Sequence, residues 1–453
     1  MSEPGPVTFR DALRVWIKIA LLSFGGPTGQ IAVMHRLLVE ERKWISDNRF
    51  LHALNYCMLL PGPEAHQLVT YTGWLMHGLR GGLVAGLLFI LPGAISLLAL
   101  SVVYVEYQHI GAVQGIFYGL KAAVVAVVVE AVIRIGKRVL KNPVMIAIAI
   151  ASFVAIYFFR VPFPFIIGIA ALLGFVGGRV REDLFYIVKP RTGAKDSDVE
   201  SQYLISDRSP AAGAVPTLSR TLMTILTWLV VWWAPVAICV QAFGPNSVYV
   251  AEGVFFSEAA MVTFGGAYAV LPFVAQEAVE RHHWLTVGEM QDGLGMAETT
   301  PGPLIIVLQF VGFLGAYRDP GSLSPLTGGV LGSAITTWVT FAPSFMWIFV
   351  GAPWIERLRG NKLLSTALSA VTAAVVGVVV NLAVWFALKT LVIPLEQPTH
   401  NVFQISVGGL PRLDLAAILI AVASGVALIR YHVNLLWVLG ACAILGWLAC
   451  LCV

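Results

Sequence analysis

The sequence predicts an all-α membrane protein, a polytopic helix bundle of two inverted-topology repeats with broken (half) helices. Three observations predict it: an apolar composition, a duplicated set of glycine–proline motifs, and a reversal of basic charge between the halves. Of the 453 residues, 58% are hydrophobic and 12% are charged, against about 25% charged in an ordinary soluble domain. Runs such as Gly82 to Val105, Ala122 to Ile133, Pro143 to Phe159 and Thr221 to Phe243 are apolar over most of the roughly 20 residues that a helical crossing needs. They do not alternate as barrel strands do, so helices are left as the way to satisfy the backbone in lipid.

Other bulk features exclude more than they assign. Cys57, Cys239, Cys442, Cys450 and Cys452 form no CxxC pair and have no histidine at zinc spacing, so neither a metal nor another cofactor is called for. A net charge of +4 gives no argument for nucleic acid as a partner. The stretch Met1 to Trp16 carries Glu3, Arg10, Asp11 and Arg14 and lacks a signal-peptide apolar core. The first helix is therefore expected to be retained and to start in the cytoplasm.

An internal repeat sets the organisation. Phe24-Gly25-Gly26 recurs as Phe264-Gly265-Gly266, Val39-Glu40 as Val279-Glu280, Trp44 as Trp284, and Pro61-Gly62-Pro63 as Pro301-Gly302-Pro303, all at one offset of 240. Beyond these, Val127-Val128-Val129-Glu130 resembles Val378-Val379-Val380-Asn381. The expected division is an N-terminal repeat over 1–178, a cytoplasmic linker over 179–220, an extra connecting helix over 221–247 and a C-terminal repeat over 248–453.

One extra crossing would invert the second repeat, and basic residues agree. Segment 35–49 holds Arg36, Arg42, Lys43 and Arg49, whereas 275–292 holds only Arg281. Segment 134–141 holds Arg134, Lys137, Arg138 and Lys141, whereas its partner near 386–403 holds only Lys389. The comparison reverses at 105–112, which has no basic residue, against Arg357, Arg359 and Lys362 in its partner. Inverted repeats are a common architecture of transporters, with the site near mid-membrane where the halves meet. Trp44 and Trp284 are expected to anchor their loops at the membrane interface.

Each repeat opens with two interrupted apolar stretches. Gly25-Gly26-Pro27 and Pro61-Gly62-Pro63 break the first repeat, and Gly265-Gly266 and Pro301-Gly302-Pro303 break the second. Glycine allows unusual dihedrals and proline suits the first turn of a new helix. The breaks therefore read as ends of half-helices, whose free N–H groups and positive dipole ends attract anions. Side-chain donors beside them are Ser23, Thr28, Gln30, Gln67, Thr263, Tyr268, Thr299 and Thr300. Candidate cations are Lys18 and Lys121, the second about ten residues from either end of its span, where charge is costly. Glu64, with Leu304 opposite it, and Glu258, opposite Lys18, are carboxylates that either carry a coupling proton or pair with lysine. The plainer alternatives are packing or kinking for the glycines and prolines, and snorkelling for Lys18. Among the histidines only His66, close to Pro61-Gly62-Pro63, invites a test, and packing explains it better.

Phe24-Gly25-Gly26-Pro27 with Gln30-Ile31-Ala32, then Trp44-Ile45, then Leu60-Pro61-Gly62-Pro63-Glu64 and Gln67-Leu68 resembles the signature of the chromate ion transporter family. Thr263-Phe264-Gly265-Gly266 with Tyr268 and Leu271-Pro272, then Thr300-Pro301-Gly302-Pro303, is similar to that family's C-terminal domain. The resemblance spans essentially the whole chain in two-domain, long-chain form. It implies a multi-pass bacterial inner-membrane protein that exports chromate and confers resistance, with sulfate as a competitor. The lipid bilayer and the oxyanion are the partners expected, and a homodimer is an assembly open to it. Within transport the rival is a carrier of sulfate or another oxyanion, working inward. From another class, an intramembrane hydrolase built on His66 and Glu64 lacks a nucleophile elbow, a metal cluster and a dinucleotide fingerprint.

Overall fold

The computed structural model describes residues 7–24, 26–58, 60–185, 203–205, 217–264, 266–354, 362–393, 404–405 and 412–451. Within them the protein is a helical membrane bundle whose two repeats run through the same elements in the same order. The first repeat begins with α1 (Phe9–Leu22), α2 (Gly26–His35) and α3 (Asp47–Cys57), followed by α4 (Glu64–Tyr107), which is two helices joined by a sharp turn. His77 and Gly78 leave helical geometry there, Gly78 with φ 60° and ψ −149°. The part Glu64–His77 is thus a half-helix, and Gly78–Tyr107 is a full crossing. Then come α5 (Gly111–Val139), α6 (Pro143–Phe159), α7 (Phe163–Val180) and the single turn α8 (Glu182–Phe185).

After α9 (Leu218–Phe243) the pattern restarts with α10 (Val248–Met261), α11 (Ala267–Gln276), α12 (Val287–Thr299) and α13 (Val307–Arg318). The full-length helices α14 (Pro325–Gly351) and α15 (Lys362–Leu391) follow, then α16 (Leu415–Ile429) and α17 (Leu435–Leu451). Between α15 and α16 lies an insertion absent from the first repeat. Its described part is a scrap of antiparallel sheet with Arg412–Asp414 between Val392–Ile393 and Gln404–Ile405.

The duplication extends to backbone irregularities. Single π-helical turns follow α2 at Arg36–Glu41 and α11 at Glu277–Arg281. Lys43 and His283, equivalent at the offset of 240, both stand at φ 53°. Three of the half-helices start on a side-chain cap. Thr8, Ser46 and Thr286 cap α1, α3 and α12 by accepting from backbone N–H groups three residues on, which satisfies donors a helix cannot use itself.

Among the described residues, six helices are long and apolar enough to cross a bilayer: α4, α5, α7, α9, α14 extended through Trp354, and α15 from Ser365. The shorter α6, α16 and α17 are strongly apolar, and α16–α17 repeat the α6–α7 hairpin. In both hairpins the turn holds a left-handed residue, Arg160 and His432. Helix α9 is long and apolar enough to cross once and has no counterpart before α1, which fits a second repeat that enters inverted. Most of α9 is exposed, with Trp232, Val236 and Cys239 buried. It is fastened by Trp232 Nε1 to Ser257 Oγ (3.0 Å) and by Trp338 Nε1 to the Val231 carbonyl (2.8 Å).

The halves interlock rather than merely touch. Helix α5 packs on α16 and α17 of the other repeat, and α15 returns the arrangement by packing on α6 and α7. Small residues make both contacts possible: Gly115 and Gly119 lie against Cys442 and Gly446, and Gly174 and Gly178 against Thr366 and Ala370. Close backbone approach through such residues drives helix association in lipid, where tails are as apolar as leucine. Trp44 and Trp284 are each only 7% exposed, so the tryptophans expected at the interface are packed inside. Trp284 stacks on His282 and Phe256, and Arg42 lies over Trp44.

Candidate functional site

The breaks at Pro61-Gly62-Pro63 and Pro301-Gly302-Pro303 each meet the opposite repeat's glycine break. The Gly62 amide donates to the Thr263 carbonyl at 2.7 Å, and the Gly302 amide donates to the Ser23 carbonyl at 2.8 Å. Both donors and both acceptors are related by the repeat offset, so this is one contact made twice across the pseudo-symmetry axis. The breaks therefore converge in the middle of the bundle.

The two kinds of break differ in their surroundings. Gly62 and Gly302 hold φ of 124° and 101° and are packed: a methyl at Gly62 would stand 2.5 Å from Ser344 Oγ, and one at Gly302 would stand 3.3 Å from the Phe89 carbonyl oxygen. At Gly26 a methyl would meet nothing within 4 Å among the described residues, and at Gly266 only Pro27, at 3.8 Å. The proline-flanked corners are closed joints, while the double-glycine corners, though buried, leave room beside them among the described residues. Gly25 and Gly265 lie outside the described residues.

Most of the polar side chains singled out from sequence hold the corners in shape. The hydroxyls of Ser23 and Thr263 donate back to Ile19 and Ala259 carbonyls, each at 2.6 Å, and those of Thr299 and Thr300 donate to Met296 and Ala297. Gln30 Nε2 donates to the Gly302 carbonyl (2.6 Å), and Gln67 Nε2 donates to the Pro61 carbonyl (2.7 Å). Pro63 and Pro303 begin the helical turns at Glu64 and Leu304, and the Pro301 carbonyl lies against Gly93. Glu64 is buried as the first residue of α4. Thr28, one turn into α2, is exposed. What stays available around Gly26 and Gly266 is backbone, namely the first N–H groups of α2 and α11, where a helix leaves its donors unpaired.

The candidate cations separate. Lys18 is about half exposed with its ammonium 3.8 Å from Glu41, and Glu258 is exposed on α10. Lys121 Nζ lies 3.2 Å from Asp292 Oδ2 on α12, and the Tyr104 hydroxyl donates to the same oxygen at 2.9 Å. This pair joins α5 of one repeat to α12 of the other. His66 is fully buried with its ring edge-on to Phe341 and Phe345.

Sequence reading missed the charges that stand beside the breaks. Tyr268, on the first turn after Gly266, donates its hydroxyl to Glu298 Oε1, two residues before Thr300. The Arg134 guanidinium lies 5.9 Å from the centre of the Tyr268 ring and 3.3 Å from Glu130 Oε2. Arg138, one turn on, reaches Met58 Sδ at 2.9 Å, at the end of α3. Segment 134–141 reads from its basic residues as a cytoplasmic loop end. Helix α5 continues to Val139, which sets Arg134 against Tyr268 of α11 and the exposed Arg138 against Met58 at the end of α3. Only the repeat offers a hint: at the offset of 251 that pairs Glu130 with Asn381, Arg134 faces Trp385, so the charge is on one side alone.

Comparison with known proteins identifies the family. The sequence pattern of the family described as Chromate transporter matches residues 10–175 and 251–447. A chromate transport protein of Pseudomonas aeruginosa is 34% identical over 383 residues, covering 83% of this chain and 81% of its own length. One from Cupriavidus metallidurans is 25% identical over 404 residues, covering 85% and 84%. A probable chromate transport protein of Synechococcus elongatus is 25% identical over 388 residues, covering 85% and 86%. No solved structure matches significantly. With both repeats matched and a relative this similar along most of its length, the chain belongs to the chromate transporter family.

Proposed function

We propose that this protein carries chromate out of the cytoplasm across a bacterial inner membrane, binding the dianion at the double-glycine corners. The supporting observation is the pair of open corners at Gly26 and Gly266, with helix N-termini at both and Arg134 beside Tyr268. A tetrahedral dianion needs several donors and some positive charge, and backbone N–H groups at helix starts supply donors that do not titrate. Thr28, Gly25, Gly26, Gly265, Gly266 and Tyr268 form the binding surface in this reading, and Gln30 braces it through the Gly302 carbonyl. Ser23, Pro61, Gly62, Pro63, Gln67, Thr263, Thr300, Pro301, Gly302 and Pro303 hold its shape. Lys18, Glu64 and Lys121 act at its edges, Lys121 as a link between repeats.

Export has an electrical driving force. Moving one elementary charge through 100 mV is worth about 2.3 kcal/mol, so a dianion leaving a negative interior gains about 4.6 kcal/mol. Movement of one repeat against the other around the corners would expose them alternately. An asymmetry between equivalent helices supports that mechanism. Helix α11 is buried from Ala267 to Ala275 and packs on α15, whereas α2 leaves Thr28 and Ala32 exposed. We assign the division of the chain to match: repeats at 1–178 and 248–453, a cytoplasmic linker at 179–220, and a connecting helix at 221–247.

The test is chromate uptake into inside-out vesicles under an imposed potential. Accumulation that follows the potential supports the reading, and flux indifferent to it removes the electrical drive. Sulfate in the same vesicles, and chromate in right-side-out ones, decide between this reading and inward carriage of another oxyanion.

A further inference from the structure

The charged residues at the double-glycine corner do not balance. Arg134 pairs with Glu130 at 3.3 Å, which leaves the Glu298 carboxyl as the surplus negative group, 2% exposed and held by the Tyr268 hydroxyl. The titratable groups facing Glu298 among the described residues are Tyr268 on α11 and Arg134 and Glu130 on α5. A dianion arriving beside Arg134 would meet that carboxylate across one tyrosine ring. Two like charges in a water-poor site oppose each other strongly, and a proton on Glu298 removes the opposition. Protonation also gives the carboxyl an O–H, turning an acceptor that repels an oxyanion into a donor.

We propose that Glu298 is a proton-binding site linked to the anion site, so that an oxyanion settling beside Arg134 brings a proton from solution onto the Glu298 carboxylate. The inference rests on the anion site proposed above and names its coupling group. The equivalent position in the first repeat is Met58 and that of Tyr268 is Thr28, so this corner takes up one proton per anion. Because linkage is reciprocal, the anion raises the proton's affinity by the factor by which the proton raises the anion's.

The experiment uses the purified full-length chain and chromate, at alkaline pH where chromate is a dianion. Chromate binding is followed by calorimetry in buffers of different ionisation heat, and proton uptake by an indicator dye in weak buffer. The wild type is expected to take up about one proton per chromate bound, with affinity falling up to about tenfold per unit of rising pH. Glu298→Gln is expected to bind chromate with no proton uptake and a flat pH profile. Tyr268→Phe keeps the carboxyl without its donor, and is expected to retain uptake with the pH profile displaced. This variant carries the test should Glu298→Gln fail to give monodisperse protein. Chromate binding to the wild type without proton uptake overturns the inference and leaves the anion site standing. Full uptake in Glu298→Gln, or an unmoved profile in Tyr268→Phe, overturns it too. A wild type that binds no chromate removes the anion site itself, and this inference with it.

Discussion

The Gly62 amide and the Thr263 carbonyl, 2.7 Å apart, tie the second break of one repeat to the first break of the other. Gly302 and Ser23 close the same link from the opposite side. The two bonds make a clasp at the pseudo-symmetry axis, and much of the protein's behaviour follows from what the clasp holds and what it leaves open.

Substitution should distinguish joint from site. Gly62→Ala forces a side chain into a backbone conformation that costs about 1–2 kcal/mol and drives a methyl to 2.5 Å from Ser344 Oγ. The thermal midpoint of the monodisperse protein is expected to fall clearly. Gly302→Ala, with its nearest neighbour at 3.3 Å, should fall less. Gly26→Ala carries a backbone cost of the same kind at φ 72° but meets no neighbour within 4 Å among the described residues, so it should fall less than Gly62→Ala while losing chromate transport. Equal stability in Gly62→Ala and Gly26→Ala would contradict the division.

The Lys121–Asp292 pair calls for a double-mutant cycle. Lys121→Ala leaves a carboxylate that is 2% exposed without its cation, a loss of about 3 kcal/mol at the lower end for buried pairs, because the lysine is itself partly exposed. Asp292→Ala should cost less, since the ammonium can turn toward water. Lys121→Ala combined with Asp292→Ala is expected to recover part of the loss. Strict additivity, read from thermal or denaturant midpoints, would show the contact to be idle.

Arg134→Lys tests geometry apart from charge. A guanidinium presents a flat fork and stacks on aromatic rings, and an ammonium does neither well. Chromate KM is expected to rise roughly tenfold or more, corresponding to about 1.4 kcal/mol or more, with little change in expression. An unchanged KM in vesicle transport would take Arg134 out of the site.

Inversion of the repeats gives a labelling result. Lys43 and His283 occupy the same left-handed turn in each repeat. In a background without native cysteines, Lys43→Cys should react with an impermeant thiol reagent from the cytoplasmic face, and His283→Cys from the outer face. Reaction of both from one face would overturn the orientation.

The architecture was legible in the sequence because glycine and proline punctuate helices wherever they stand. The offset of 240 that relates Gly62 to Gly302 was visible without coordinates. The partners were not. Lys121 finds Asp292, and Tyr268 finds Glu298, across separations that no local pattern encodes. Ser23 and Thr263 show the opposite failure. They flank the breaks as expected, yet their hydroxyls are turned onto their own helices, a competition that spacing alone does not decide. Trp44 and Trp284 mark the places expected of interfacial anchors, but tertiary packing claims both rings.

Helix α9 touches the core at few points, and its importance is one of parity. Subtract that lone traverse and both repeats would thread the bilayer in the same sense, with Thr263 and Ser23 presented to the wrong neighbours. By fusing two modules through an odd number of passes, the chain settles at synthesis a matter that separate half-length subunits would have to settle by inserting both ways up in equal amounts.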